Sequence, residues 1–183
     1  MKLQRKQENL SIRSTVSKLS NFELETRISG KEFNLDNNNY NIESLYFAFS
    51  DDGCTFAIRR DGRITSVKAG HGKWTVSNTA SASLLVPPRN MSAKSIDANY
   101  TVNQPPVKAG ASYAWTDKST LEITARFVEE SLGEQTVVCR FTETERETRI
   151  SIDPNVVASR AGGPRGGFAP ASQQLRGVMV EIR

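Results

Sequence analysis

Apolar and polar residues alternate with a period of two in many segments of the chain from Phe22 onward. Successive side chains of a β-strand point to opposite faces, so this alternation gives each segment one apolar and one polar face. It therefore predicts a series of half-buried strands. The clearest apolar faces are Leu45, Phe47 and Phe49; Cys54, Phe56 and Ile58; Leu121, Ile123, Ala125 and Phe127; and Val137, Cys139 and Phe141.

Turn signals separate these segments. Asp36–Asn39 is a cluster of turn-forming residues, and Ser50–Gly53 divides two strands. Asp61-Gly62 is the strongest hairpin signal, because glycine supplies the positive φ that a tight two-residue turn needs. Residues 22–28 also alternate and are predicted as a strand that ends at the Ser29-Gly30-Lys31 turn.

The later segments follow the same pattern. Residues 111–127 predict a long hairpin around Asp117–Ser119, and further strands are expected at Ile150 and Ile152 and at 83–86. Gly70-His71-Gly72-Lys73 resembles a phosphate-binding loop only superficially, because no helix follows it to offer its N-terminus to a phosphate. We expect this segment to form a bulge. Residues 87–107, bracketed by two Pro-Pro pairs, predict a long connector or a lid.

Eight or more short strands with almost no helical period predict an all-β fold, as a barrel or a sandwich. We favour an antiparallel up-and-down β-barrel of about eight strands, because consecutive hairpins allow closure and closure removes exposed edges. The barrel is expected over residues 21–153. Residues 1–20 predict a short helix or a disordered lead-in, and 154–183 a Gly/Pro-rich tail in which 175–182 suit a terminal strand.

A chain of 183 residues buries roughly 70% of its extended surface on folding, so it needs no metal or disulfide for stability. Its single histidine, His71, and two cysteines show no metal-ligand spacing, so neither a metal nor another cofactor is expected. Cys54 and Cys139 suit either two buried thiols or one long-loop disulfide. Their positions in apolar strand patterns favour free, buried thiols.

The net charge of +4 arises at the two ends of the chain. Residues 21–153 contain 15 basic and 18 acidic residues, so the predicted barrel is slightly acidic. A nucleic-acid-binding face needs clustered Lys and Arg among aromatic residues, and the distribution of charge argues against one. The longest apolar run, Leu45–Phe49, is too short to cross a membrane, and the N-terminus lacks a signal-peptide core. No export signal or membrane partner is expected, and the compartment stays open.

The sequence shows no arrangement typical of a nucleophilic enzyme. Gly-x-Ser-x-Gly, Ser-x-x-Lys and Lys-Thr-Gly are all missing, and Thr15–Lys18 is the nearest approach to the second. A cysteine–histidine pair would need an exposed thiolate, whereas both cysteines fall on apolar faces. Glu129 and Glu130 are neighbours on one segment and would point to opposite faces of a strand.

Four side chains are candidates for ligand binding. Trp74 and Trp115 are the two largest side chains and suit either core packing or the lining of a binding site. Arg126 and Arg140 lie opposite apolar neighbours, on a face that is either the outside of a barrel or a polar interior. Two tryptophans enclosing a small apolar molecule would make the chain a ligand carrier.

Six segments resemble a known family: 28–35 (ISGKEFNL), 42–58 (IESLYFAFSDDGCTFAI), 70–74 (GHGKW), Pro87-Pro88-Arg89, 114–130 (AWTDKSTLEITARFVEE) and 136–141 (TVVCRF). They are similar to the small C-terminal β domain that follows the catalytic domain in some bacterial β-lactamase-related serine hydrolases, the penicillin-binding-protein-like group. The resemblance implies a lipocalin-like antiparallel barrel without catalytic residues of its own. It also implies that the Ser-x-x-Lys nucleophile belongs to a separate catalytic domain.

Two functions are therefore expected. The first is a non-catalytic accessory β-barrel of a serine hydrolase, which packs on the catalytic domain or shapes substrate access. The alternative is a free-standing carrier of a small apolar ligand between Trp74 and Trp115.

Overall fold

The computed structural model describes residues 21–80, 84–85, 107–127, 134–153 and 174–180. These residues form one helix and ten strands: α1 (Phe22–Ile28), β1 (Lys31–Leu35), β2 (Ile42–Ser50), β3 (Gly53–Arg60), β4 (Arg63–His71), β5 (Thr75–Thr79), β6 (Val107–Trp115), β7 (Thr120–Phe127), β8 (Glu134–Glu143), β9 (Thr148–Ile152) and β10 (Leu175–Val180). The predictions for residues 1–20, for Glu129 and Glu130, for the 154–173 part of the tail and for the 87–107 connector before Val107 lie outside the described residues.

Nine of the strands close into a β-barrel, which confirms the predicted all-β barrel. Around the barrel the order is β4-β3-β2-β1-β10-β9-β8-β7-β6, and β5 pairs with part of the edge of β6. Neighbouring strands are antiparallel, as predicted, except at the closure between β4 and β6. There the pairs Gly70–Ser112 and His71–Tyr113 are parallel.

The parallel closure follows from the turn between β4 and β5. Gly70 and Lys73 form an antiparallel bridge around His71 and Gly72, and Gly72 has a φ of +60°. The expected bulge is therefore a tight turn. After it, β5 pairs with residues 107–111 of β6, which leaves residues 112–113 of β6 free to pair with the end of β4.

The hairpin between β3 and β4 forms as predicted. Asp61 and Gly62 both have positive φ, at 48° and 71°, which is the backbone of a type I′ turn. The polar cluster before β2 is also a turn. There the Asn38 side chain accepts hydrogen bonds from the backbone of Tyr40 and Ile42 at 3.1 and 3.2 Å.

Inward-facing side chains fill the barrel. The Phe47 ring lies within 5.2–5.8 Å of the ring centres of Phe33, Phe56 and Phe141, so strands β1, β2, β3 and β8 share one aromatic cluster. The predicted apolar faces of β3, β7 and β8 are all buried, as are Leu45, Phe47, Ile150 and Ile152. Aromatic pairs of this kind stabilise a core beyond their burial of area.

The segment before β1 is a helix, so the strand predicted over residues 22–28 is wrong. Leu24 and Ile28 are buried, and their spacing of four residues places both on one helical face. Asn21 caps the helix by accepting a hydrogen bond from the backbone of Leu24, and Phe22, which a half-buried strand would have placed in the core, is 79% exposed. A segment as short as residues 22–28 fits both the strand period of two and the helix period of 3.6 residues. The Asn21 cap favours the helix over the strand.

Helix α1 seals one end of the barrel. The Trp115 indole donates a hydrogen bond of 2.6 Å to Glu25 Oε1. Burial raises the pKa of Tyr113, and the negative charge of the same carboxylate adds to the shift. Arg27 forms an ion pair with Glu143 at the rim. Polar anchors and buried apolar residues therefore hold the helix on the barrel together.

The opposite end is sealed by Leu84 and Leu85, both buried. Gln135 accepts a hydrogen bond of 2.9 Å from the backbone of Leu84, and Arg60 donates to the carbonyl of Leu85. The strand predicted over 83–86 is a bend at its two described residues. In a strand, the backbone N–H and C=O groups would hydrogen-bond to a neighbouring strand. In this bend, the side chains of Gln135 and Arg60 form hydrogen bonds with the backbone instead.

The role of α1 predicts a difference between two glutamates of the same helix. Glu25→Ala removes the acceptor of the Trp115 indole and should lower the free energy of unfolding by about 1–2 kcal/mol. Glu23→Ala is the matched control, because the Glu23 side chain is 86% exposed and should contribute little. Urea denaturation followed by tryptophan fluorescence measures both. Equal effects of the two substitutions would contradict a sealing role for Glu25.

Candidate functional site

The candidate binding site is a groove on the outer face of β1 to β4. Its volume is about 340 Å³, which is within the range of small-molecule sites. Small side chains form its floor and larger ones its walls. The residues that line the outer groove are Glu32, Ser44, Tyr46, Thr55, Ala57, Arg59, Ile64 and Ser66.

Strand register produces this shape. Ser44, Arg59 and Ile64 are paired across β2, β3 and β4, and Tyr46 and Ala57 occupy the next outward-facing row. Outward-facing residues of a barrel are ordinarily exposed, yet Ser44 and Ala57 are 3% and 9% exposed because larger neighbours surround them. Ile64, at 59% exposed, is an apolar side chain on the wall.

The polar end of the outer groove holds one ion pair. Arg59 Nη2 lies 3.5 Å from Glu32 Oε1, and the Ser44 hydroxyl donates a hydrogen bond to the same oxygen. The Glu32 side chain is 23% exposed and that of Arg59 is 45% exposed. The Glu32 carboxylate is therefore the more buried of the two charged groups, and it accepts an additional hydrogen bond from Ser44. The Arg59 guanidinium is the more exposed of the two to a ligand.

A second cavity, of about 400 Å³, lies beside α1 and the Asp117–Ser119 turn. Its charges are satisfied by each other: Arg27 pairs with Glu23 and Glu143. Hydrogen bonds from the Ser119 backbone and the Thr120 side chain lower the pKa of Asp117. This cavity is accounted for by the attachment of α1.

The four predicted ligand-binding residues do not form one site. Trp115 is buried in the aromatic core and stacks near Phe49. Trp74 lies on the opposite face of the sheet, because a side chain added at Gly110 would meet its indole at 3.4 Å, whereas Ala109 and Ala111 point into the core. The two tryptophans therefore cannot enclose a molecule inside the barrel.

Both arginines are on the outside of the barrel. Arg140 is exposed between the buried residues Cys139 and Phe141, and Arg126 is exposed between Ala125 and Phe127. The interpretation of these arginines as lining a polar interior is therefore wrong, because the inward positions beside them are apolar.

The structure does bring Trp74 and Arg126 to the same outer face. Val76, Gly110 and Arg126 are paired across β5, β6 and β7, and the Trp74 indole packs on Gly110. Val76 is 67% exposed, and the neighbouring Lys108 is also exposed. We call these five residues the tryptophan face.

Both thiols are free and buried, as the sequence favours. Burial raises the pKa of Cys54 and of Cys139, and the nearby Glu25 carboxylate adds to the shift at Cys54. A thiol held in its protonated form is a poor nucleophile. His71 stacks on Tyr113 with ring centres 5.0 Å apart. Among the described residues, no group of three or more metal-ligating side chains occurs.

Comparison with protein-family models, with curated proteins and with solved structures yields no match for this chain. In the part of the chain that the structure describes, no helix has the length and apolar character needed to cross a membrane. The interpretation of function therefore depends on the geometry and on the sequence resemblance.

Sequence reasoning did not identify the outer groove. Ser44, Ala57 and Ser66 are unremarkable outward-facing residues in their own strands, and they become a floor only when three strands align. One signal was available: Ile64 breaks the expected polar outer face beside the Asp61-Gly62 hairpin. Single exposed apolar residues are common on protein surfaces, so this signal by itself does not identify a contact surface.

The buried thiols predict alkaline destabilisation. In the unfolded chain they ionise near pH 9.0, while in the folded chain their raised pKa keeps them protonated. The unfolded state then binds fewer protons, so stability is complete below pH 9 and falls as the pH rises, by about 1.4 kcal/mol per pH unit for each thiol.

Denaturation curves between pH 7 and 10 measure this slope. Cys54→Ala lowers stability at every pH through its cavity, but it should also reduce the loss between pH 9 and 10, to which Cys139 and the Tyr113 hydroxyl, whose pKa burial also raises, still contribute. An unchanged slope in this variant would contradict the assignment to the thiols.

Proposed function

We propose that the protein is a non-catalytic accessory β-barrel that packs on a partner protein through the tryptophan face. The resemblance to the C-terminal β domain of β-lactamase-related serine hydrolases makes a catalytic domain of that class the expected partner. The barrel would orient that domain or shape access to its substrate site.

The observation that carries the proposal is the division between a filled interior and an apolar outer face. The described side chains pack the lumen, and α1 and Leu84-Leu85 seal its two ends. This packing of the described residues supports binding through the outer surface. The tryptophan face offers a large aromatic, an exposed β-branched side chain and an arginine, which is the composition typical of residues that dominate protein interfaces.

The charge of the tryptophan face defines its partner further. Arg126 and Lys108 are both exposed there, on adjacent strands. Carboxylates of the partner would pair with them at the rim, while Trp74 and Val76 would be covered at the centre. Such rim charges chiefly raise the rate and specificity of association.

The alternative function, a carrier that encloses a small apolar ligand, gains no support from the described residues. Trp115 and the phenylalanine cluster occupy the space that the ligand would need. Tryptophan fluorescence titrated with a fatty acid or a retinoid tests this alternative. A saturable, ligand-induced change in fluorescence that disappears in Trp115→Phe would favour the carrier over the accessory function.

The first test of the proposal concerns catalysis. The purified chain should not hydrolyse nitrocefin or simple esters above the rate of buffer. Turnover that a single Ser or Cys substitution abolishes would overturn the non-catalytic assignment.

The second test concerns docking. A separately expressed catalytic domain of the penicillin-binding-protein-like class, from the same genome, should bind the chain in calorimetry. Trp74→Ala should weaken binding at least about tenfold, the effect of losing a central interface residue, and Arg126→Gln should mainly slow association. Arg140→Gln, on the outer face of β8, is the matched control and should have little effect. Unchanged binding in Trp74→Ala would contradict the assignment of this face.

A further inference from the structure

We infer that the outer groove is a binding site for a small apolar monocarboxylic acid, whose carboxylate pairs with Arg59 and whose apolar body lies over Ala57. This inference concerns strands β1 to β4 and is independent of docking through the tryptophan face. It rests on the shape of the groove, its exposed apolar wall and the state of its one ion pair.

The shape indicates a site for a single small molecule. Ser44 and Ala57 lie nearly buried at the bottom of the depression, although both point away from the core. Tyr46 on β2 and Ser66 on β4 flank Ala57, and Ile64 lies one outward-facing row along β4, opposite Arg59. A ligand placed over Ala57 and Arg59 would cover the exposed surface of Ile64, and burial of apolar area drives binding.

The ion pair indicates the charge of the ligand. Glu32 already accepts a hydrogen bond from Ser44 and faces Arg59. A cationic ligand would therefore gain little binding energy by pairing with Glu32. The 3.5 Å separation of Arg59 Nη2 from Glu32 Oε1 is too long for a strong hydrogen bond. The planar guanidinium carries five donors, and an exposed one favours a carboxylate, with which it forms two parallel hydrogen bonds.

Calorimetry and backbone amide shifts test the inference, with three probes of equal chain length. Hexanoate should bind and shift the amides of β1 to β4 around Ala57. Hexan-1-ol, which lacks the charge, and hexylamine, which reverses it, should both bind at least about tenfold more weakly. Equal binding of the three probes, or tighter binding of the amine, would overturn the inference.

Two substitutions assign the binding to the outer groove. Arg59→Gln should reduce the affinity for hexanoate at least about tenfold, and Ala57→Leu should do the same by filling the floor. Ala48→Leu is the matched control on the same outer face, since Ala48 does not line the groove. Thermal unfolding verifies that each variant is folded. Hexanoate binding that survives both Arg59→Gln and Ala57→Leu would overturn the site.

Two further measurements separate this inference from other possibilities. Arg126→Gln should leave hexanoate binding unchanged, so failure of partner docking and failure of carboxylate binding are distinguishable. The tripeptide Gly-Gly-Leu presents a similar apolar carboxylate at the end of a polypeptide. If it binds more tightly than hexanoate, the occupant is a polypeptide C-terminus and the small-molecule assignment is wrong.

Discussion

The barrel depends on the packing of aromatic rings across its lumen. Phe47 on β2 contacts Phe33 and Phe56 on the neighbouring strands and Phe141 on β8, so one cluster joins two walls of the barrel. Trp115 extends the cluster from β6, with its ring centre 5.9 Å from that of Phe141. A nine-strand barrel has more interior volume than an eight-strand one, and these large rings occupy it.

This filling of the interior by the described residues supports the proposal that binding uses the outer surface. Trp115 both belongs to the core and donates to Glu25 of α1, so the seal at one end is continuous with the core. At the other end Gln135 and Arg60 bind the backbone of an inserted bend. Interior polar groups thus serve the closure of the barrel. The surfaces with unusual chemistry, the outer groove and the tryptophan face, are both on the outside.

The sequence predicts those parts of the structure that depend on one strand or one turn. Period-two alternation identifies the apolar faces of β3, β7 and β8, and Asp61-Gly62 identifies its hairpin, because each signal is local. Residues 22–28 show the limit of this reasoning. Their alternation also places Leu24 and Ile28 one helical turn apart, and a side-chain cap at Asn21 selects the helix.

Local sequence patterns do not predict features that depend on the alignment of several strands. The parallel closure arises because β5 takes part of the edge of β6, and the outer groove arises because small residues of three strands fall side by side. For the same reason Trp74 and Trp115 suggested a shared site: each follows small residues in its own strand, and nothing local shows that they face opposite sides.

The positions of the exposed apolar residues connect closure with binding. Ile64 lies on β4 and Val76 on β5, the two strands on either side of the turn where the barrel closes. Neither side chain contributes to the core. β4 and β5 stay close beyond this turn, where the Lys68 backbone donates a hydrogen bond of 3.2 Å to Ser77 Oγ, while β4 pairs with β3 and β5 pairs with β6. The strand order that closes the barrel thereby leaves both residues on its outer surface, apart from the aromatic core, where they belong to the two surfaces proposed for binding.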